Sequence, residues 1–338
     1  MATARKSVTA HHADVPQLLG GTAIKPVERH GWERVRYFIH NPDTGAFCSR
    51  TPKSWFLIFL FYVIYYSCLA GFWYGMLQIF FLTLNDETPK WMKEESIIGI
   101  NPGMGVRPRQ ADARIDSSMY YFKGNWNGEK TIDLEQDSDA GFAARMSDFL
   151  DRTLVEGQKG AVECSADELN KPREKIQPPC KFDASAFGAC GQFPYGYSKD
   201  SGMKPCVIVK LNKIFGLVPE PYAADEKDLP ADIPQAIKDR ILDVNEPRRV
   251  YIECHGENAA DEEAISSITY YPAHQGVPMG YFPHQVKTNL VSPAVAVQFA
   301  DVPKGQLLHV ECKAWFKGVV HERKERMGLV HFELLVDH

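Results

Sequence analysis

The sequence predicts a single transmembrane helix followed by a mainly-β ectodomain, an immunoglobulin-like β-sandwich with long insertions, one amphipathic helix and disulfide staples. Three observations lead to this prediction: a long uncharged run, short alternating segments after it, and six cysteines beyond it. We therefore divide the chain into a cytosolic N-terminal tail at 1–54, a transmembrane helix at 55–84 and an extracellular disulfide-bonded domain at 85–338.

The transmembrane prediction depends on the run from Trp55 to Leu84, which contains no charged residue. As a helix it would span roughly 45 Å, against roughly 30 Å of hydrocarbon, so it can cross a bilayer with a tilt. Wholly uncharged core helices of this length are rare. A cleaved signal peptide is also disfavoured, because the run starts at residue 55 and no small-residue cleavage site follows it.

Flanking charge predicts the orientation. Residues 1–54 carry eight Lys or Arg and four acidic residues, a net +4, whereas the region after Leu84 carries 30 basic and 39 acidic residues, a net −9. The positive-inside rule then places the N-terminus in the cytosol. We predict a single-pass type II protein. The whole chain, with 338 residues and a net charge of −5, lacks the positive footprint of a nucleic-acid-binding protein.

The cysteines agree with this topology. Cys48 and Cys68 lie before and within the run, whereas the other six lie on the predicted outer side, where disulfides persist. Six cysteines allow fifteen pairings, and the sequence alone does not choose among them. Sequential pairing is the simplest proposal. In that order the pairs are Cys164 with Cys180, Cys190 with Cys206, and Cys254 with Cys312.

Period-two alternation predicts strands in the outer region. The alternating segments lie at 207–211, 250–254, 295–299, 308–312 and 330–336. A helix is predicted between Asp139 and Gly157, where apolar residues recur at helical spacing. Its apolar stripe consists of Phe142, Met146, Phe149, Leu150 and Leu154. Many short strands, few helices and cysteines on two separated strands favour the immunoglobulin-like sandwich.

A search for catalytic and metal-binding patterns finds one candidate, Asp137-Ser138-Asp139. Many Golgi glycosyltransferases are type II proteins that hold a divalent cation with an Asp-x-Asp pair, so a transferase that uses Asp137 and Asp139 is one alternative. The competing interpretation is that Asp139 caps the helix that follows, where its carboxylate would accept free backbone amides. We favour the cap, and we expect no catalytic residue, no cofactor and no metal site.

The uncharged run also contains a predicted packing face. Tyr62, Tyr65 and Tyr66 lie at i, i+3 and i+4, on one side of a helix. Tyrosines in membrane helices usually lie at the headgroup level, whereas these lie a third of the way into the run, where hydroxyls need partners. Gly71 and Gly75 form a G-x-x-x-G that allows close approach of a second helix. We predict that the tyrosine face contacts a partner helix.

Four motifs stand out along the chain. The first is Arg50-Thr51-Pro52-Lys53-Ser54-Trp55, followed by FLFYVIYYSCLAG at 59–71. The others are Tyr270-Tyr271-Pro272, Gly280-Tyr281-Phe282-Pro283 and LVSPAVAVQF at 290–299. In this order they resemble the β subunits of the sodium/potassium-transporting ATPase and its proton/potassium relatives. The resemblance runs from about Gly31 to the C-terminus.

The resemblance implies an accessory role. Members of that family pair one-to-one with a P-type ATPase catalytic α subunit, help it fold and reach the membrane, and tune its potassium affinity. For this chain it implies that Tyr62, Tyr65 and Tyr66 contact the seventh and tenth membrane helices of the α subunit. It also implies the sequential disulfide pairing proposed above, a plasma-membrane location and room for a small single-span regulatory subunit.

The ectodomain of that family covers the extracellular loop between the seventh and eighth α-subunit helices. The resemblance therefore implies partner contact for the ectodomain aromatics Tyr270, Tyr271, Tyr281 and Phe282. The sequence departs from the family at His284 and Gln285. It also has no N-glycosylation sequon, since none of its ten asparagines is followed at +2 by Ser or Thr. A cell-adhesion ectodomain remains a second alternative to the pump subunit.

Overall fold

The computed structural model describes residues 18–19, 22–23, 31–42, 45–85, 88–110, 119–130, 138–152, 157–158, 160–174, 177–226, 229–244, 246–284 and 294–337. The chain forms two compact units, Met1–Thr83 and Leu84–His338. The first unit contains the long apolar helix, and the second contains the two larger sheets.

Helices and short hairpins make up the first unit. Its elements in chain order are β1 (Leu18–Leu19), β2 (Thr22–Ala23), α1 (Trp32–Ile39), β3 (His40–Asn41), β4 (Ala46–Phe47) and α2 (Pro52–Leu82). β1 pairs with β2 and β3 pairs with β4, both antiparallel. Among the described residues, α2 is the one helix long and apolar enough to cross a membrane. The single transmembrane helix predicted from the uncharged run is therefore confirmed.

The boundaries of α2 follow from its end groups. The side chain of Thr51 accepts a hydrogen bond from the Ser54 N–H at 3.4 Å, which caps the first turn. Pro52 occupies the first helical position, where its missing N–H costs nothing. The helix ends at Leu82. It therefore starts and ends slightly before the predicted 55–84, because the absence of charge marks the apolar run whereas capping groups mark the helix.

In the part of the chain that the structure describes, the second unit has nine strands in two sheets. They are β5 (Met104–Arg107), β6 (Met119–Phe122), β7 (Cys206–Leu211), β8 (Arg249–Gly256), β9 (Ile268–Tyr271), β10 (Gly276–Pro278), β11 (Ala294–Phe299), β12 (Leu307–Trp315) and β13 (Leu329–Val336). The five-stranded sheet has the order β10-β8-β12-β13-β6, and the four-stranded sheet has the order β5-β7-β11-β9. All neighbours are antiparallel except β13 and β6, which are parallel.

Helices cover the connections between these strands. They are α3 (Asp139–Leu150), α4 (Ala166–Leu169), α5 (Gln235–Leu242) and α6 (Ala259–Ala264), with 3₁₀ turns at Lys93–Glu95, Ala184–Gly191, Lys199–Ser201 and Met279–Tyr281. The predicted helix is α3, with Phe142, Met146 and Leu150 of its stripe buried. It ends at Leu150, short of the predicted Gly157, and Leu154 lies outside the described residues.

The core lies between the two sheets. Phe299 of β11 contacts Phe332 of β13 edge to face, with ring centroids 6.0 Å apart, and both side chains are fully buried. At the edge of the same sheet, Phe142 of α3 packs against Phe122 of the edge strand β6, with ring centroids 5.3 Å apart. The helix thus extends the apolar core past the edge of the five-stranded sheet. This architecture confirms the prediction of a mainly-β ectodomain.

Three disulfides join Cys164 to Cys180, Cys190 to Cys206 and Cys254 to Cys312. The third pair lies directly opposite on neighbouring strands β8 and β12, with Cα atoms 4.0 Å apart. In immunoglobulin domains the conserved disulfide joins the two sheets instead. The chain therefore shares the two-sheet architecture of that fold but not its disulfide, because both cysteines lie within one sheet.

We expect the loss of the cross-strand disulfide to be the most damaging loss of a single pair. Cys254→Ser with Cys312→Ser opens a loop with a sequence separation of 58, worth about 4 kcal/mol in the chain-entropy model. The matched control, Cys164→Ser with Cys180→Ser, opens a separation of 16, worth about 3 kcal/mol. Thermal unfolding of the full chain in detergent checks this order. An equal or larger loss in the control pair contradicts it.

Candidate partner-binding surfaces

The aromatic face of α2 is the first candidate surface. The rings of Tyr62 and Tyr66 stack with centroids 5.8 Å apart, and Tyr65 meets Tyr66 edge to face at 5.3 Å. Phe61 extends the cluster, with its ring stacked on Tyr65 at 6.1 Å. Each tyrosine side chain is about half exposed. The spacing predicted from the sequence therefore produces a continuous aromatic ridge.

The three tyrosine hydroxyls distinguish this ridge from an ordinary lipid-facing surface. Among the described residues no hydrogen bond engages them, whereas the nearby Ser67 hydroxyl donates to the carbonyl of Val63 at 2.7 Å. A hydroxyl in hydrocarbon without a hydrogen bond is costly. Ser67 meets this requirement within its own helix, and the tyrosines do not. The ridge is therefore suited to a second helix that offers acceptors.

The two glycines lie on a different side of α2. Gly71 follows Tyr66 by five residues, which corresponds to about 500° of rotation and places it about 140° around the axis. A Cβ atom added at Gly71 or Gly75 would meet nothing within 4 Å. Without side chains, Gly71 and Gly75 form a shallow groove on the surface of α2. This groove is open to the close approach of another backbone. The ridge and the groove are two separate faces of one helix.

Tyr270 has a structural role in the ectodomain. Its hydroxyl accepts a hydrogen bond from the Cys254 N–H at 2.9 Å and donates to the Cys254 carbonyl at 3.2 Å. Tyr270 belongs to the four-stranded sheet and Cys254 to the five-stranded sheet. Burial raises the pKa of this hydroxyl, which keeps it protonated and able to donate. The side chain therefore joins the two sheets beside the disulfide.

The other three ectodomain aromatics differ in exposure. Tyr271 is half-buried, and its ring lies against the backbone of Gly188, where an added Cβ would come within 2.6 Å. Tyr281 and Phe282 are buried, and the Tyr281 hydroxyl donates to the Lys181 carbonyl at 3.3 Å. The burial of Tyr281 and Phe282 makes them core residues. Tyr271, in contrast, keeps part of its surface exposed.

His284 follows this aromatic motif and is almost fully buried. Its ring contacts Phe282 at 5.6 Å, and neither ring nitrogen has a hydrogen-bond partner among the described residues. Burial, reinforced by the charges of Lys213 and Lys210, lowers the pKa of His284 to about 4. The histidine is therefore neutral in the folded domain at physiological pH. Gln285, the other departure from the family pattern, lies outside the described residues.

The Asp-x-Asp segment has a structural explanation at the one aspartate that is described. Ser138, not Asp139, caps α3, and its hydroxyl accepts the Gly141 N–H at 3.2 Å. The buried carboxylate of Asp139 accepts the N–H groups of Lys123 and Gly124, each at 2.8 Å. The predicted cap is thus wrong by one residue, because the preceding serine already occupies that position. Asp137 lies outside the described residues, which hold no cluster able to bind a metal.

Besides short strands and helices of the ectodomain, sequence reasoning missed two further features. One is the pair of hydrogen bonds made by Tyr270, for which the sequence contains no signal. The other is α1, whose apolar side chains recur at helical spacing in the sequence and are exposed in the structure. The periodicity of Trp32, Val35 and Ile39 could have identified this helix.

Comparisons with known proteins point to one family. The family model described as "Sodium / potassium ATPase beta chain" matches residues 25–332. The chain is 36% identical over 303 residues to the sodium/potassium-transporting ATPase subunit beta-1 of Drosophila melanogaster, covering 88% of this chain and 91% of that protein. It is 33% identical over 324 residues to subunit beta-2 of the same organism, covering 93% and 95%. A probable subunit beta-3 of Caenorhabditis briggsae is 31% identical, covering 90% and 87%.

We expect His284 to make the ectodomain less stable in acid. Its folded pKa of about 4 lies below the ordinary value of 6.5, so the unfolded chain takes up a proton that the folded chain refuses. Stability therefore falls as the pH falls below 6.5, by about 2 kcal/mol between pH 7.5 and pH 5. Urea unfolding at both pH values measures the difference.

The control for this measurement is His284→Phe, which keeps a ring against Phe282 and removes the titrating group. This variant should lose about 2 kcal/mol less than the parent between the two pH values. The same pH dependence in both proteins would show that His284 is not the source.

Proposed function

Because this chain belongs to the sodium/potassium ATPase beta chain family, we propose that it is the non-catalytic β subunit of a sodium/potassium-transporting ATPase. Catalysis belongs to the α subunit, a P-type ATPase, and this chain assists the folding, membrane delivery and potassium affinity of that partner. The observation that carries the proposal is the family match over 25–332, which includes both the membrane helix and the ectodomain.

The proposed contact in the membrane is the aromatic ridge of Tyr62, Tyr65 and Tyr66 against the seventh and tenth helices of the α subunit. The half-exposed rings and the hydroxyls without described partners support this assignment. The groove at Gly71 and Gly75 is free for a further helix, such as a small single-span regulatory subunit. Both contacts can form at once, because the two faces lie on different sides of α2.

We place the N-terminal tail in the cytosol and the ectodomain outside the cell, with α2 crossing the plasma membrane. The +4 charge of residues 1–54 supports this orientation. The three disulfides, all in the second unit, support an oxidising compartment for that unit. The ectodomain would then cover the loop between the seventh and eighth α-subunit helices, with Tyr271 as the candidate aromatic contact.

The alternatives find less support. A type II glycosyltransferase would need Asp139 to hold a metal ion, yet both oxygens of this carboxylate accept backbone N–H groups. A cell-adhesion ectodomain would not need an aromatic ridge in its membrane helix. Affinity purification of the full chain from native membranes tests the proposal: a stoichiometric P-type ATPase supports it. Delivery of the chain to the cell surface without such a partner would contradict it.

We expect the aromatic ridge to dominate the helix contact. Replacing Tyr62, Tyr65 and Tyr66 together with leucine keeps the span apolar and removes ring stacking and hydroxyls. At about 0.6 kcal/mol for each membrane hydrogen bond, the hydroxyls together contribute about 2 kcal/mol, and single changes should be mild. Co-purification with the α subunit in detergent should fall clearly for the triple leucine variant.

Two matched variants sharpen this measurement. The triple phenylalanine variant at the same positions keeps the rings, so its loss isolates the hydroxyl contribution. The pair Gly71→Leu and Gly75→Leu fills the groove and should leave co-purification nearly unchanged. A larger loss from the glycine pair than from the triple leucine variant would assign the α-subunit contact to the groove instead.

A further inference from the structure

Helix α1 has an apolar face that no described residue of the first unit covers. At about 100° per residue, Phe38, Val35, Ile39 and Trp32 fall within one arc of about 120°. All four side chains are exposed, from 42% at Val35 to 78% at Trp32, and none of the residues of α1 is buried. An apolar arc of this width normally lies against a core or a membrane.

Charged residues border this arc on both sides. On the same helical wheel, Arg36 lies about 40° beyond Trp32, and Arg34 lies about 40° before Phe38. The remaining charged residue, Glu33, lies on the opposite side of the helix. Arginines at the two edges of an apolar face can extend their guanidinium groups to phosphates while their stems stay with the apolar side chains. This is the pattern of a helix that lies in a membrane interface.

The chain ties α1 to the start of the membrane helix. The Cys48 N–H donates to the carbonyl of Ile39, the last residue of α1, at 2.9 Å. In the first turn of α2, the indole N–H of Trp55 donates to the carbonyl of Phe47, the residue before Cys48, at 2.8 Å. The β3–β4 hairpin is the segment of chain that connects the end of α1 to the residues just before α2. The end of α1 is therefore held within one short hairpin of the first turn of α2.

The surrounding charge favours anionic lipid as the occupant of this face. Arg50 and Lys53 flank the start of α2, so residues 31–54 carry four Lys or Arg and two acidic residues. Basic residues next to a membrane span are attracted to the negative surface of the cytoplasmic leaflet. A protein partner would also cover an apolar arc, but the short tether to α2 keeps the arc at the level of the lipid headgroups.

We propose that α1 is an interfacial helix that lies in the headgroup layer, with Trp32, Val35, Phe38 and Ile39 inserted between lipids and with Arg34 and Arg36 bound to the phosphates of anionic lipid. The helix anchors the first turn of α2 at a defined depth and rotation. It thereby fixes the direction in which the ridge of Tyr62, Tyr65 and Tyr66 faces. This inference does not depend on the pump assignment.

Spin labelling of the full chain in lipid nanodiscs tests the proposal. In a background with Cys48→Ser and Cys68→Ser, the two cysteines outside the disulfides, a label is attached at Val35→Cys or at Glu33→Cys. Val35 lies at the centre of the apolar arc, and the matched control Glu33 lies about 160° away. Relaxation of each label by oxygen, which partitions into lipid, is compared with relaxation by a water-soluble nickel complex.

We expect the label at Val35→Cys to lie about 5–10 Å below the phosphates and to favour oxygen several-fold more than the label at Glu33→Cys. Adding phosphatidylserine to phosphatidylcholine should increase this depth, and Arg34→Gln with Arg36→Gln should remove the increase. Equal accessibility of the two labels would overturn the proposal. So would a water-exposed label at Val35→Cys that becomes protected only when the α subunit is present, since the face would then belong to a protein.

An insertion depth that ignores phosphatidylserine would overturn the assignment of Arg34 and Arg36 to anionic lipid. Because the insertion depth is measured on the chain without the α subunit, it can fail to show an inserted helix while the α subunit still co-purifies in the separate experiment. The reverse combination, an inserted helix without a co-purifying α subunit, would contradict the proposed function and leave the interfacial helix standing.

Discussion

The ectodomain depends on the hydrogen bonds that the backbone N–H and carbonyl of Cys254 make. Cys254 lies in β8 beside β12, at a level that the short strand β10 does not reach. The hydroxyl of Tyr270, from the opposite sheet, bonds to both its N–H and its carbonyl, and the disulfide fixes Cys312 at the same level. A buried backbone group without a partner costs as much as a lost hydrogen bond. The hydroxyl of Tyr270 therefore replaces the hydrogen-bond partners that a longer β10 would have supplied to Cys254. The same side chain joins the two sheets.

The long strands were predictable because their alternation is strong. The segments at 207–211, 250–254, 295–299, 308–312 and 330–336 all lie within strands of the structure. The ectodomain strands that were not predicted are β5, β6, β9 and β10, which have only three or four residues each and cannot show a period. Their positions are determined by pairing with distant strands. The same argument explains Asp139. Its carboxylate accepts hydrogen bonds from N–H groups that follow β6, and the sequence around Asp139 gives no sign of this distant contact.

The candidate surfaces also differ in whether local sequence or tertiary structure determines them. In the membrane helix, spacing alone predicted the ridge, because a helix places i, i+3 and i+4 side by side whatever surrounds it. In the ectodomain, the aromatic motifs are recognisable in the sequence, yet their burial depends on the tertiary structure. Tyr281 and Phe282 fill the core, whereas Tyr271 stays partly exposed. A motif shared with a family therefore identifies residues that matter without telling whether they touch the partner or support the surface.

The parallel pairing of β6 with β13 also sets the order of events during protein synthesis. Tyr121 of β6 donates to the carboxylate of Asp337, just after β13, across a sequence separation of 216 residues. At about 5–20 residues per second, β6 leaves the ribosome roughly 10 to 40 s before the strand that pairs with it. During this interval Tyr120 lacks the ring of Phe332 in β13, which it meets edge to face at 5.5 Å in the folded domain. The five-stranded sheet can form completely only after β13 has emerged from the ribosome, because β13 lies between β12 and β6. A complete sheet therefore indicates that the nascent chain has been translated through β13.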